Sequence, residues 1–117
     1  MFRSSPEPTL RVELELQIHD PGSRDRASGA VRIVKECQGA GIPNLTAEWI
    51  IAMLELKTGV CRSVSEARQQ LVINLRRVRD ITTSQGYDLA TGSIHPFHRT
   101  DADVVFPAER CKRLQER

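Results

Sequence analysis

Between Thr9 and His19 the chain alternates strictly. Val12, Leu14, Leu16 and Ile18 fall on one parity, and Arg11, Glu13, Glu15 and Gln17 on the other. A period of two is that of a β-strand with one apolar and one polar face, so a strand is predicted over Thr9 to His19. Asp20, Pro21 and Gly22 then supply a turn. Ser28 reads as the N-cap of a short helix over Ala30 to Gln38, with Ala30, Val31 and Val34 along one side and Gly39 and Gly41 as its stop. From Ile42 to Val60 the run WIIAMLELKTGV is apolar almost throughout, and periodicity there does not separate a buried strand from a buried helix segment. Its isoleucines and the bounding Pro43 and Gly59 favour one or two strands. In a strand, Met53, Glu55 and Lys57 share one face and Ala52, Leu54, Leu56 and Thr58 the other.

The next element carries the clearest pattern. Ser63 followed by Glu66 is a capping box, and Ala67, Leu71, Leu75 and Val78 recur at spacings of three and four, with Val72 and Ile81 widening the stripe. A helix over Val64 to Ser84 follows, with Arg68, Arg76, Arg77, Arg79 and Asp80 on its solvated side. Gly86 ends it, and Tyr87 to Ile94 reads as another strand, closed by His95-Pro96-Phe97. Residues 98 to 105 form a charged loop, and Pro107 opens a last helix in FPAERCKRLQER. The whole is an α+β domain over residues 9–117, mainly an antiparallel sheet packed by one long helix and shorter ones. Residues 1–8, with two prolines and no periodicity, precede it as a loose arm.

Composition removes several classes of function. A length of 117 residues is one domain's worth, and a net charge of +2 is too small to argue for nucleic acid. Aromatic residues make up 4% of the chain and are not interleaved with basic ones, so there is no base-stacking platform. Cys37, Cys61 and Cys111 are widely spaced and form no CxxC pair, which fits reduced thiols in a cytoplasm rather than a disulfide framework or a zinc site. No apolar run reaches the length of a membrane span. The phosphate-binding GxxxxGK[ST] loop, the GxGxxG fingerprint, the HExxH helix and the GxSxG elbow are all absent from the sequence.

Chemistry enters with Glu13 and Glu15. Two carboxylates on one face of a strand repel unless they are solvated, protonated or bridged by a cation, and Mg²⁺ takes oxygen ligands of this kind alongside substrate phosphates. The pair is therefore either the solvent face of an amphipathic strand or part of a metal site. Glu55, in an apolar run, needs a counter-charge, which a metal ion or Lys57 can supply. His95, at a strand end, is either a structural hydrogen-bonder or a group presented to a ligand.

Four segments resemble one known family in order and spacing. TLRVELELQIHDP resembles the opening strand of the carboxylate-amine ligases related to glutamate–cysteine ligase type 2. MLELKTGVCRSVSEA resembles that family's second block, GSIHPF its strand ending in T-H-P-F, and FPAERCKRLQER the helix that follows. The resemblance implies a glutamine-synthetase-like fold, of which this chain is a partial, N-terminal portion. It also implies an activity: ATP phosphorylates the γ-carboxylate of glutamate, and the amine of cysteine, or another amine, attacks the acyl phosphate, as in glutathione biosynthesis. Position by position, Glu13, Glu15 and Glu55 match the family's Mg²⁺ (or Mn²⁺) ligands, Glu48 resembles a further acidic position, and His95 matches the histidine of the third block, with a catalytic contact to substrate or phosphate. Cys61 and Arg62 match in type, Cys61 as a packing residue.

Three positions depart from the family pattern: Arg11 stands where glycine is usual, Ile51 where Glu or Gln is frequent, and Ile94 in place of the threonine before His95. The last helix runs to Arg117 with its amphipathic pattern still in progress, so the expectation is a truncated ligase, inactive by itself. The competing expectation is a non-catalytic interaction module that keeps the fold and forms homo-oligomers.

Overall fold

A computed structural model describes residues 6–48 and 50–91. Within them lie six elements: β1 (Glu13–His19), α1 (Ala30–Gly39), β2 (Leu45–Ala47), β3 (Met53–Lys57), α2 (Val64–Ser84) and β4 (Asp88–Thr91). The strands form one antiparallel sheet in the order β2-β3-β1-β4. β1 and β2 thus run parallel with β3 inserted between them, and β3 and β4 run parallel with β1 between them. Two interleaved split βαβ units result, the connectivity of ferredoxin-like α+β folds.

Both helices cover the same side of the sheet. Leu16 and Ile18 of β1, Leu54 and Leu56 of β3, and Leu45 of β2 meet Ala30, Ile33 and Cys37 of α1 and Val78 of α2 in one buried cluster. Burying each of the large aliphatic side chains contributes about 1.5–3 kcal/mol, so this cluster is what fixes which face of every strand points inward. The alternation read in β3 is realised, with Met53, Glu55 and Lys57 half-buried while Leu54 and Leu56 are sealed; in β1 it holds from Glu13 to Leu16 and then gives way, Gln17 being buried along with Leu16 and Ile18.

The run from Ile42 to Val60 resolves into two strands, β2 and β3, joined as a hairpin. α2 spans the predicted residues. Ser63 Oγ accepts from the Glu66 amide at 3.1 Å, and Glu66 Oε2 accepts from the Arg62 amide at 2.8 Å. A cap of this kind is worth about 1 kcal/mol. The Asp20 turn also forms, with Asp20 Oδ1 accepting from the Gly22 and Ser23 amides at 2.9 and 2.8 Å.

Four local expectations are corrected. β1 starts at Glu13 rather than Thr9, because the Val12 amide bonds to the Thr58 hydroxyl at 3.0 Å instead of a strand carbonyl, leaving Leu10 in an isolated bridge to Cys61. α1 is capped by Gly29 and not by Ser28, and the Ala30 amide is taken by the Ile51 carbonyl at 2.9 Å. The buried stripe of α1 is Ala30, Ile33 and Cys37, whereas Val31 is 45% exposed. Gly39 closes α1 as its last residue, and the reversal falls at Gly41, whose φ of +74° suits glycine. The last strand is described from Asp88 to Thr91. Its expected continuation to Ile94 lies outside the described residues, as does the helix expected from Pro107.

Candidate functional site

The face of the sheet opposite the helices carries the polar parity of every strand. Register sets its pattern: Glu15 stands directly across from Glu55, Glu13 from Lys57, and Gln17 from Met53. The Thr58 amide donates to the Val12 carbonyl at 2.9 Å, and the Ile18 amide to the Ala52 carbonyl at 2.8 Å. Alternation between those pairs puts Glu13, Glu15 and Gln17 at non-hydrogen-bonded positions, where opposed Cα atoms approach to about 4.5 Å and side chains are closest. Glu55 itself faces Thr46 on β2. The Glu48 amide continues that ladder by donating to the Met53 carbonyl at 3.1 Å, which makes Glu48 a diagonal neighbour of Glu55.

Carboxylates directly opposite one another destabilise a sheet unless something offsets them. Lys57 does part of this. Its Nζ lies 3.5 Å from Glu55 Oε2 and 3.6 Å from Glu13 Oε1, and the two carboxylates, Glu55 foremost, hold its ammonium above the usual lysine range. Glu55 is only 15% exposed against 61% for Glu13, so Glu55 is the more dependent on a nearby positive charge. Among the described residues Glu15 makes no ion pair.

The four acidic residues expected to bind metal therefore share one face, with Glu55 at its centre, Glu15 opposite, and Glu13 and Glu48 on the diagonals. Their side chains are not gathered around a point: among the described residues no three His, Cys, Asp or Glu side chains form a group able to hold an ion. His95 lies outside the described residues. Arg62 is exposed at the start of α2, with its amide given to Glu66, and Cys61 is fully buried as a packing residue.

Two residues on this face escaped the sequence reading. His19 continues the parity of Glu13, Glu15 and Gln17, stands opposite Asp88, and its Nε2 lies 3.3 Å from Gln17 Oε1. The alternation of β1, carried two positions further, was the signal for His19. Asp88 became visible only with the pairing of β4. On the far side, a groove lined by Leu16, Val72, Leu75, Arg76, Arg79 and Leu89 opens between α2 and β4. The sheet itself separates it from the carboxylates.

One antiparallel four-stranded sheet packed by helices is the α+β fold class expected from the sequence. The chain belongs to glutamate-cysteine ligase family 2, whose model matches residues 9–117. A Gloeobacter violaceus relative with the provisional name glutamate–cysteine ligase 2 is 32% identical over 84% of this chain and 27% of its own length. Relatives with the same provisional name from Mycobacterium bovis and Bdellovibrio bacteriovorus are also 32% identical, over 99% and 93% of this chain and 30% and 29% of theirs. The chain thus spans less than a third of these relatives. Among the described residues no helix is long and apolar enough to cross a membrane.

Proposed function

We propose that residues 9–117 form part of the active-site sheet of an ATP-dependent carboxylate-amine ligase of the glutamate–cysteine type, related in fold to glutamine synthetase and working on small-molecule substrates in the cytoplasm. The direct opposition of Glu15 and Glu55 at a close-approach position of the sheet carries this reading. Mg²⁺ is normally held by one or two carboxylates, with waters and substrate phosphates completing its octahedron. The donor set fits: two opposed glutamates suffice, and a cage of three protein ligands is not required. Glu15 and Glu55 would hold the ion, with Glu13 and Glu48 within one diagonal step. Mg²⁺ bound there supplies positive charge against the phosphoryl group that passes from ATP to the γ-carboxylate of glutamate.

The chain's own contribution is positional. Backbone bonding of β1 to β3 fixes the Cα of Glu15 opposite that of Glu55, and the apolar residues behind it lock the strand's orientation. Glu55 is held half-buried, where solvent screens it less than it screens Glu13. His95 is assigned a contact with substrate or phosphate, and the amine acceptor is cysteine or another small amine. The test is a Mn²⁺ titration of the 117-residue chain followed by electron paramagnetic resonance. Binding is expected in the native chain and absent in Glu15→Gln; identical titrations for the two would refute the metal role.

A further inference from the structure

The feature that this role leaves unexplained is Lys57. It stands opposite Glu13, one pair along from Glu15 and Glu55, and its Nζ spans Glu13 and Glu55 at 3.6 and 3.5 Å. Glu55, whose carboxylate faces Lys57, is one of the two residues assigned above to the divalent ion. An ammonium and a divalent cation do not both sit on that carboxylate: charges of like sign a few ångströms apart repel, strongly where the effective dielectric is low and still appreciably in water. Lysine, unlike arginine, is a compact charge on a flexible stem and leaves a carboxylate without breaking a bidentate fork. Lys57 is 39% exposed, so solvent lies within reach of its head group, whereas Glu55 at 15% has little access to water and gains most from keeping a cation beside it.

We propose that Lys57 is an internal counter-ion that competes with the divalent cation for Glu55, so that metal enters only as the ammonium swings out to solvent. In the metal-free chain it holds the two carboxylates together against their own repulsion. In the loaded chain its pair with Glu55 is broken, and the energy of that pair is subtracted from metal affinity. Lys57 is thereby the residue that sets how tightly this face holds a divalent ion. The inference depends on the metal role of Glu15 and Glu55 proposed above.

The experiment compares Mn²⁺ titrations, read by electron paramagnetic resonance at neutral pH, of the native chain, Lys57→Met and Lys35→Met. Met keeps most of the lysine volume without its charge. Lys35 is exposed on α1, on the helical side of the sheet, and controls for net charge. Lys57→Met is expected to bind Mn²⁺ at least about tenfold more tightly than the native chain, with Lys35→Met unchanged. Equal affinity in all three, weaker binding in Lys57→Met, or an equal gain in Lys35→Met overturns the role of Lys57 while leaving the metal site standing. No binding in any chain, including Lys57→Met, overturns the metal site as well. Should Lys57→Met fail to show the native far-ultraviolet circular dichroism, Lys57→Gln takes its place under the same expectations.

Discussion

Single side chains in this molecule act chiefly by what they do to nearby charge and backbone. Asp20 is an example away from the acidic face. The Ser23 amide foremost, and the Gly22 amide with it, hold its carboxyl below the ordinary value of 3.8. A group whose folded-state value is lowered gives stability that is present above the unfolded value and is lost as pH falls through the folded one. The melting temperature of Asp20→Ala should therefore lie below that of the native chain at neutral pH, and the gap should close as pH drops below 3.8. A gap that stays constant into acid would show that the charge of Asp20 does not support the turn. Cys37 shows the opposite direction: burial, with a smaller push from Glu36 against a pull from Arg77, raises its thiol to about 11. It is a packing residue and not a nucleophile.

At the scale of elements, what the chain reveals locally and what it hides divide along physical lines. The period-two alternation of β1 and the Ser63–Glu66 cap of α2 depend on neighbours within a few residues, and both were legible. The start of α1 was not. It depends on Tyr87, which packs against Gly29 so closely that a Cβ there would come within 2.9 Å of the ring's Cε2. No spacing around Ser28 announces a contact with a residue so distant. Gly29→Ala forces the ring or the helix start to move, with an expected loss of about 1–3 kcal/mol in chemical denaturation. An unchanged midpoint would mean that Tyr87 yields freely. The exposure of Val31 has a similar origin, since Ile33 and Cys37, rather than the valine, face the sheet.

The sheet as a whole carries the information that the candidate site required and that no local pattern holds. Parity announced that Glu13 and Glu15 share a face; only the pairing of β1 with β3 made Glu15 the partner of Glu55 and put Lys57 across from Glu13. Strand order depends on connections through two helices, and those are settled by burial of the common core. β1 has a further consequence. It is made before both strands that flank it, and apart from the β2–β3 hairpin every ladder in the sheet joins segments separated by a helix. Non-local pairing of this kind is slow, because loop-closure entropy is spent before contacts reward it. In pulse-labelled hydrogen exchange during refolding, α2 and the β2–β3 hairpin should gain protection ahead of Glu13–His19. Early protection of β1 amides would contradict this order. Until β3 and β4 have left the ribosome, the nascent chain presents an alternating strand with both edges bare, the kind of segment that chaperones bind and that nucleates aggregates during overexpression.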